Sequence, residues 1–204
     1  MMGRVISTGF LHTSPVHVPA FRALVAELAP EGTAQRHLVD EELLELARAG
    51  QPYREQLAQR LAELAGCDVV VVTCTSIGGA AEELLPQAVR VDRPMAEAAA
   101  KYPRVGVAYT VDSTLAPTTE LLTEAGAAQL VEIDCRSAWP HFDSGDLPAY
   151  HATVAELVRT AVGEVDAVVL AQASMDPAAA LLVDLPVPVL TSPLLAVRRA
   201  LGLS

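Results

Sequence analysis

The sequence predicts an α/β protein made of two pseudo-symmetric α/β lobes with mainly parallel sheets. The first observation is a repeat, because residues 68–84 (DVVVVTCTSIGGAAEEL) recur as residues 166–182 (DAVVLAQASMDPAAALL). Each copy is an apolar run, a short polar elbow and an Ala-rich helical stretch. The second observation is that β-rich runs alternate with amphipathic helical segments, which is typical of α/β folds. The third is that several apolar runs are unbroken, as in parallel strands covered on both faces.

The predicted strands and helices follow one another in a regular order. Six apolar runs are predicted to be strands: Val5–Leu11, Val69–Thr73, Val105–Tyr109, Leu130–Ile133, Val168–Leu170 and Val187–Leu190. Helical spacing of apolar residues predicts helices over Phe21–Leu28, Glu41–Ala49, Glu55–Ala65, Ser113–Ala125, Tyr150–Val162 and Pro193–Ala200. Asp92, just before Pro94, marks a further strand-to-helix junction, where the carboxylate is interpreted as a helix cap.

A second, looser part of the repeat sets the domain boundaries. A strand starting at Arg4 and one starting at Arg104 each end in a hydroxyl-rich loop. Each half therefore supplies two strand-to-helix elbows, residues 12–14 with 74–76 and residues 110–114 with 172–174. We expect one lobe from residues 1–93 plus 188–204 and another from residues 94–187. Ligands of open α/β sheets bind at the carboxyl ends of the strands, so we expect a shared interlobe cleft.

The composition argues against several classes of function. The 204 residues carry a formal net charge of −11, and nucleic-acid phosphates need a basic face. No stretch approaches the roughly 18 apolar residues of a membrane span, and the N-terminus lacks a signal-peptide pattern. Cys67, Cys74 and Cys135 fit neither a disulfide framework nor a zinc site. We therefore expect a cytoplasmic protein that binds neither membranes nor metal ions.

The elbow of the first copy carries the candidate catalytic group, Cys74. It follows an apolar strand and precedes a helix, where the helix dipole and free N–H groups favour the thiolate. We therefore expect a thiol that is more acidic than a free cysteine. The same donors would hold a carboxylate or a developing enolate oxygen, and Thr75 and Ser76 add hydroxyls. The alternative is a buried cysteine that fills space, which is our interpretation of Cys67 and Cys135.

The other elbows supply candidate substrate-binding residues. Thr110, Ser113 and Thr114 suggest anion binding, although helix capping would explain one of them. Thr13 and Ser14 form a similar loop beside His12, which is either an acid–base or donor group or a satisfied structural histidine. The repeat also pairs Gln172, Ala173 and Ser174 with the elbow that contains Cys74.

No cofactor motif accompanies these elbows. The phosphate loop, the GxGxxG fingerprint, the G-x-S-x-G elbow and metal-ligand clusters are all missing from the sequence. What remains is a cofactor-free site of hydroxyls, helix N-termini and one thiol. Such a site suits proton transfer next to a carboxylate, where an enediolate needs donors and the carbon needs an acid or base.

The motifs resemble those of the aspartate/glutamate/hydantoin racemase superfamily, which includes arylmalonate decarboxylase and maleate isomerase. The resemblance covers nearly the whole chain. It rests on HTSP at 12–15, LVDEELL at 38–44, VVVTCTSIGG at 70–79, VDRPMAEAA at 91–99, RVGVAYTVDSTLAPT at 104–118 and VVLAQASM at 168–175. It implies two pseudo-symmetric α/β lobes and, in the racemases, one cysteine from each lobe on opposite faces of the substrate α-carbon.

The resemblance also implies roles for single residues. Cys74 matches the first cysteine, and Thr75 with Ser76 matches the polar pair that binds the substrate carboxylate. Residues 110–114 look like the second carboxylate-binding segment. The second cysteine falls at Gln172, whose amide has no pKa useful for removing a proton from carbon. A symmetric two-thiol racemase is therefore disfavoured. The loop around His12 also lacks the aspartate of glutamate racemases, which disfavours that activity as well.

Three functional hypotheses follow from the sequence. In the first, Cys74 is the single acid, base or nucleophile of a decarboxylase or isomerase acting on a small carboxylate, and Gln172 donates a hydrogen bond. The second is a racemase whose other base is His12 or a bound water. The third is a carboxylate-binding or sensing protein without turnover. A homo-oligomer is compatible with each of them.

Overall fold

The computed structural model describes residues 6–203 and contains two α/β units, each built on a four-stranded parallel sheet. The first unit is Met1–Val91 with Pro193–Ser204, and the second is Asp92–Ser192. The predicted fold class, an α/β protein of two lobes with parallel sheets, is confirmed. None of the described helices is long and apolar enough to span a bilayer.

The sheet of the first unit has the strand order β2-β1-β3-β4. Its strands are β1 (Thr8–His12), β2 (Gln35–Val39), β3 (Val69–Val72) and β4 (Ala88–Arg90). The central strands β1 and β3 are nearly fully buried, whereas the edge strand β2 is half-buried or exposed along its length. This gradient explains why β3 is a continuous apolar run and β2 is not.

Helices cover both faces of this sheet. The unit contains α1 (Val18–Leu28), α2 (Glu42–Arg48), α3 (Arg54–Leu64), α4 (Thr75–Leu84) and most of α9 (Ser192–Ala200). Leu11 of β1 packs in one cluster with Leu57 of α3 and Ile77 of α4. Its neighbour Phe10 contacts Phe21 of α1 with ring centroids 5.5 Å apart. Because successive strand side chains point to opposite faces, α1 lies on one face and α3 with α4 on the other.

The second unit repeats this plan with the strand order β6-β5-β7-β8. Its strands are β5 (Arg104–Tyr109), β6 (Gln129–Asp134), β7 (Ala167–Leu170) and β8 (Val189–Leu190). Its helices are α5 (Arg93–Ala99), α6 (Asp112–Glu124), α7 (Trp139–Asp143), α8 (Leu147–Ala161) and the 3-10 helix Ala173–Leu181. Tyr150 and Val154 of α8 pack on Ala108 and Leu170 of the central strands.

The repeat in the sequence is also a repeat in the strand register. Thr8 lies opposite Val69 in the first sheet, and Val105 lies opposite Ala167 in the second. Matching aspartates brace the starts of the central strands. Asp68 accepts the Ser7 N–H at 2.8 Å, and Asp166 accepts the Arg104 N–H at 3.0 Å. The two elbows that end β3 and β7 are therefore equivalent positions in two like sheets.

Four local features differ from the sequence predictions. The strands β2 and β4 were not predicted, because β2 begins with three polar residues and β4 has only three residues. The predicted strand start at Arg4 and Val5 lies outside the described residues. Residues Ala173–Leu181 form a 3-10 helix, since Pro177 lacks the N–H that an α-helix would use. The helix α6 begins at Asp112, so Ser113 and Thr114 lie inside its first turn and are not its caps.

Candidate functional site

The carboxyl ends of β1 and β3 bring Thr13 and Cys74 together. The Thr73 N–H donates to the Leu11 carbonyl at 3.0 Å, which extends the pairing one residue past β3. Because side chains alternate along a strand, Thr13 follows Leu11 on one face and Cys74 follows Val72 on the same face. The Thr13 hydroxyl hydrogen-bonds the Cys74 sulfur. The sheet register thus places a hydroxyl donor against the candidate catalytic thiol.

Cys74 occupies the N-cap position of α4, and four donors face its sulfur. Its backbone is extended, with φ −115° and ψ 117°, so the helix begins at Thr75. The N–H groups of Ser76 and Ile77 and the hydroxyls of Thr13 and Ser76 all act on the sulfur. None is a regular helix cap, because a sulfur atom takes the place of the usual capping oxygen. These donors would stabilise a thiolate once one is formed.

Burial raises the pKa of the Cys74 thiol above its ordinary value of 9.0, despite the lowering by the four donors. Only 8% of the residue is exposed, and it packs among the leucines of α2 and α3. The predicted acidic thiol is therefore wrong, since the loss of hydration outweighs the helix N-terminus. At neutral pH Cys74 holds its proton, which equips it to donate a proton rather than to remove one.

Thr110 and Gln172 are the counterparts of Thr13 and Cys74 in the second unit. The Ala171 N–H donates to the Ala108 carbonyl at 2.9 Å, as Thr73 does in the first sheet. The Gln172 oxygen Oε1 accepts the Thr110 N–H at 2.7 Å and the Thr110 hydroxyl at 2.8 Å. A backbone N–H can only donate, so the accepting atom is the amide oxygen and the amide has one orientation. The hydrogen bonds of Gln172 within residues 6–203 use only this oxygen, and the NH₂ group is left for another acceptor.

Tyr150 of α8 supports this pair from below, and the sequence reasoning did not assign it to the site. It has no exposed surface. Its hydroxyl lies 3.2 Å from Thr110 Oγ1 and 2.9 Å from Ser174 Oγ. Burial raises the pKa of Tyr150, so the phenol is neutral. One feature of the sequence could have indicated this role. Tyr150 lies on the apolar face of a predicted helix, and a buried Tyr hydroxyl usually has a hydrogen-bond partner.

His12 lies in the interior of the first unit. Its Nδ1 is 3.0 Å from Thr73 Oγ1, and its Nε2 is 2.9 Å from His37 Nδ1. The His37 Nε2 in turn lies 2.9 Å from Gln35 Oε1. Both ring nitrogens of His12 are engaged and its side chain has no exposed surface. This geometry favours the structural role over the acid–base role, and substrate binding by His12 stays a prediction.

The histidines of this cluster are neutral. Burial, together with the neighbouring His37 and His17, lowers the pKa of His12 to about 3. Burial and the charge of Arg22 lower the pKa of His37 to about 4, and burial alone lowers that of His17 to about 4. A single proton is shared between the facing nitrogens of His12 and His37. Adding protons to both rings would break this contact, so the cluster is a poor base at neutral pH.

Solved structures with several activities share this architecture. An aspartate racemase from Picrophilus torridus matches with a TM-score of 0.69 and 17% identity over 96% of this chain and 94% of its own. A variant of arylmalonate decarboxylase, solved in a sulfate-associated form, matches with a TM-score of 0.55 and 15% identity over 96% and 93%. A maleate isomerase from Pseudomonas putida S16, solved with maleate, matches with a TM-score of 0.58 and 17% identity over 97% and 92%.

The chain therefore shares its fold with these aspartate racemase, arylmalonate decarboxylase and maleate isomerase structures. These structural matches confirm, at the level of the fold, the resemblance seen in the sequence motifs. No protein-family profile matches the chain. No curated protein sequence matches it either. Since proteins with this fold carry out racemisation, decarboxylation and isomerisation, the fold alone does not select one reaction.

The remaining residues that the sequence predicted for the site lie at the carboxyl edges of the same two sheets. Thr75 is buried at the start of α4, Ser76 is half-buried beside it, and Ser14 begins the turn Pro15–His17. In the second unit Thr114 is buried and Ser113 half-buried in the first turn of α6. Ala173 and Ser174 open the 3-10 helix after Gln172. Their roles in substrate binding stay predictions.

Three other residues discussed in the sequence analysis, Asp92, Cys135 and Cys67, are not part of the two elbows. Asp92 has no exposed surface, but its side chain makes no capping hydrogen bond to α5. Cys135 is buried, and burial raises its pKa to about 12, which agrees with a space-filling thiol. Cys67 is partly exposed, at the start of β3. Among residues 6–203 no group of three His, Cys, Asp or Glu side chains is placed to hold a metal ion.

Proposed function

We propose that the protein is a cofactor-independent enzyme that acts on a small carboxylate, with Cys74 as its single acid–base thiol. Gln172 of the second unit donates hydrogen bonds to the substrate in this proposal. The reaction is decarboxylation with reprotonation, or a related isomerisation through the same enediolate. The observation that carries the proposal is the unlike pair at equivalent elbows, a thiol held by four donors and an amide with a fixed orientation.

The state of Cys74 supports a proton donor. A buried thiol with a raised pKa is protonated at neutral pH and can deliver that proton to carbon. The N–H groups of Ser76 and Ile77 and the two hydroxyls then face the thiolate that remains, which lowers the cost of the transfer. The same donors are of little use to a thiol that never changes charge.

The proposed decarboxylation has two steps. The bond between the α-carbon and the departing carboxylate breaks, CO₂ leaves, and the electron pair stays on the α-carbon as an enediolate. Cys74 then transfers its proton to that carbon and becomes a thiolate, which regains a proton from water. No oxidant, reductant or cofactor is required. In the isomerase variant the thiol first gives its proton to water, and its sulfur adds to the enoate while the π electron pair moves into an enediolate. After rotation about the resulting single bond, the C=C bond re-forms, and the thiolate leaves and regains its proton from water.

The orientation of Gln172 supports carboxylate binding by the second unit. Its oxygen is occupied by Thr110, so the group presented to a ligand is a pair of N–H donors. Donors to a carboxylate stabilise both the substrate and the enediolate, in which the charge on oxygen increases. Fold neighbours solved with maleate or associated with sulfate bind anions, which agrees with this assignment.

The two alternative functions have weaker support. A racemase needs a second proton carrier opposite Cys74, and Gln172 cannot titrate. His12 is committed to Thr73 and His37, and its lowered pKa of about 3 makes it a weak base. A binding protein without turnover would leave the donors around the sulfur without a chemical purpose.

The test is decarboxylation in D₂O of a panel of substituted malonates, with parallel racemisation assays on amino acids and hydantoins. We expect CO₂ release with one deuterium incorporated in the product, lost in Cys74→Ser and retained in the control Cys67→Ser. Unchanged turnover in Cys74→Ser would refute the role of the thiol. Equal interconversion of enantiomers by the wild type would establish the racemase instead. Thermal stabilisation by malonates without product on long incubation would establish the binding protein.

A further inference from the structure

The Thr110 hydroxyl, which donates to the Gln172 amide oxygen, is the last member of a chain of hydroxyls that begins at Ser174. Thr110 Oγ1 must donate its proton to Gln172 Oε1, because an amide oxygen cannot donate. The contact of 3.2 Å between Thr110 Oγ1 and Tyr150 Oη therefore carries the tyrosine proton. The contact of 2.9 Å between Tyr150 Oη and Ser174 Oγ then carries the serine proton. The three hydroxyls therefore donate in one direction, from Ser174 through Tyr150 and Thr110 to the accepting oxygen of Gln172.

Tyr150 provides the central hydroxyl of the chain from Ser174 to Thr110, and its ring is fully buried. It has no exposed surface and packs with Ala108, Leu170 and Met175 in the core of the second unit. The next residue along α8, His151, places its Nε2 3.1 Å from the Ser174 carbonyl. Two successive residues of α8 thus hold the turn that follows Gln172. Ring contacts with Phe142 at 5.3 Å fix the phenol itself.

The helix that carries Tyr150 is longer than its counterpart in the first unit. The helix α8 has 15 residues, and α3 has 11. A helix between parallel strands runs antiparallel to them, so the N-terminal end of α8 lies at the carboxyl edge of the sheet. Tyr150 is in the first turn, which is held by the side chain of Asp146 accepting the Ala149 N–H at 3.1 Å. This first turn brings the phenol under Thr110.

We propose that Tyr150 is a positioning residue for anion recognition: through Thr110 it holds the Gln172 amide so that both N–H groups face a carboxylate. Tyr150 itself does not touch the ligand. The inference rests on the proposed function only in taking a carboxylate as the ligand. It adds that the donor strength of the second unit is set by a phenol beneath the site. A cysteine at position 172 would need no such orientation, since a sulfur atom has no donor and acceptor ends to distinguish.

The test follows the Gln172 side-chain amide by NMR and malonate binding by calorimetry in the same full-length samples. The Gln172 NH₂ signals are assigned by their loss in Gln172→Ala. Tyr150→Phe removes only the hydroxyl, and Tyr102→Phe is the control in the same unit. We expect Tyr150→Phe to move the Gln172 signals toward those of exposed glutamines. We also expect weaker malonate binding by about tenfold, because a misoriented Gln172 amide would lose one of its hydrogen bonds to the charged carboxylate. The pH profile of Cys74 alkylation should not change.

Ser174→Ala is a second variant, which breaks the chain upstream without disturbing the aromatic core. A smaller shift of the Gln172 signals in the same direction is expected there. Gln172 signals that stay in place in folded Tyr150→Phe and Ser174→Ala would overturn the inference. So would malonate binding that is lost in Gln172→Ala but unaltered in Tyr150→Phe, and the proposed function would then survive. Signals that move in a protein that binds no malonate would support the positioning role and count against the proposed function.

Discussion

Cys74 and Gln172 differ in chemistry but receive the same kind of support. In each unit a threonine at the end of the central strand hydrogen-bonds the side chain at the end of the neighbouring strand. The thiol is buried and protonated, and the amide is held by its oxygen. The first group can give up a proton, while the second can only donate hydrogen bonds. Substitutions of these two residues should therefore affect different steps, proton transfer for Cys74 and ligand binding for Gln172.

The alkylation rate of Cys74 should rise with pH to a midpoint above 9.0, the ordinary pKa of a cysteine. The physical reason is that burial disfavours the thiolate more than the surrounding donors favour it. The measurement is iodoacetamide labelling against pH in a Cys67→Ser, Cys135→Ser background. Thr13→Val should move the midpoint further upward, because one donor to the thiolate is removed. A midpoint below 9.0 would contradict the balance described for this thiol.

Gln172→Cys should convert one-sided protonation into protonation of both faces. A thiol at this position is the counterpart of Cys74 and can accept and return a proton, which the amide cannot. The readout is the enantiomeric ratio of the product from a prochiral disubstituted malonate. We expect a single enantiomer from the wild type and a mixture from the variant. Gln172→Ser is the control, and a product of unchanged purity from Gln172→Cys would contradict the assignment.

Sequence reasoning identified Cys74, Gln172 and Thr110 because they stand at aligned positions of a repeat. It missed Tyr150, whose neighbours in space come from three different elements. It also assigned Cys74 a low pKa, since the helix N-terminus is visible in the sequence and the extent of burial is not. Hydrogen bonds between residues distant in sequence and the burial of a side chain both depend on tertiary packing. The sequence repeat does not reveal that packing.

Gly78 illustrates how one element accommodates another. A Cβ at Gly78 would lie 2.7 Å from Arg90 Cβ of β4, whereas a Cβ at Gly79 would lie 3.5 Å from Arg90 Nη1. The arginine is buried, so it cannot move aside into solvent. The helix α4 therefore approaches the edge strand closely at one glycine and less closely at the next. The sequence alone shows two adjacent glycines without this distinction.

Gly78→Ala should lower the free energy of unfolding by about 1–3 kcal/mol, the usual cost of forcing a group into a packed interior. Gly79→Ala is the matched control, and it should be neutral or stabilising by up to about 1 kcal/mol, because Ala favours the helix. Both free energies of unfolding are measured by urea denaturation that is monitored by circular dichroism. Equal destabilisation by the two variants would show that the close approach to Arg90 is not the cause.

The strands and helices that the sequence predicted correctly are those whose own residues carry a clear hydrophobic pattern. The central strand β3 is four valines, and α3 has leucines on one face. The edge strand β4 has only three residues, so its pairing with β3 defines it rather than its own composition. The segment after Gln172 is Ala-rich and looks helical, but Asp176 and Pro177 divert it into a 3-10 helix. The weak elements are those that depend on their neighbours.

The whole molecule should lose stability in acid partly through the histidines of the first unit. The pKa of His12 is lowered from 6.5 to about 3, so the unfolded chain binds a proton that the folded chain does not. Stability from this group is therefore complete above about pH 6.5 and is lost as the pH falls toward 3. The slope is at most about 1.4 kcal/mol per pH unit for one proton.

His12→Gln should reduce this slope, because it removes the titrating ring while keeping a group that can hydrogen-bond Thr73. The measurement is urea denaturation at a series of pH values between 7 and 4, with wild type and variant compared at each pH. Comparing the two proteins cancels the carboxylate contributions, which are common to both. Parallel curves for the two proteins would show that His12 titrates normally in the folded state.

The pair of threonines has a consequence for how such a protein changes its reaction. A hydroxyl donates as readily to sulfur as to an amide oxygen, and in each sheet it stands at the end of an unchanged parallel register. Replacing the residue that it holds therefore requires no movement of strands or helices. Each unit can change its reactive group by a single substitution, independently of the other. Diversification of chemistry on this scaffold is thus a matter of two separate choices, one in each unit.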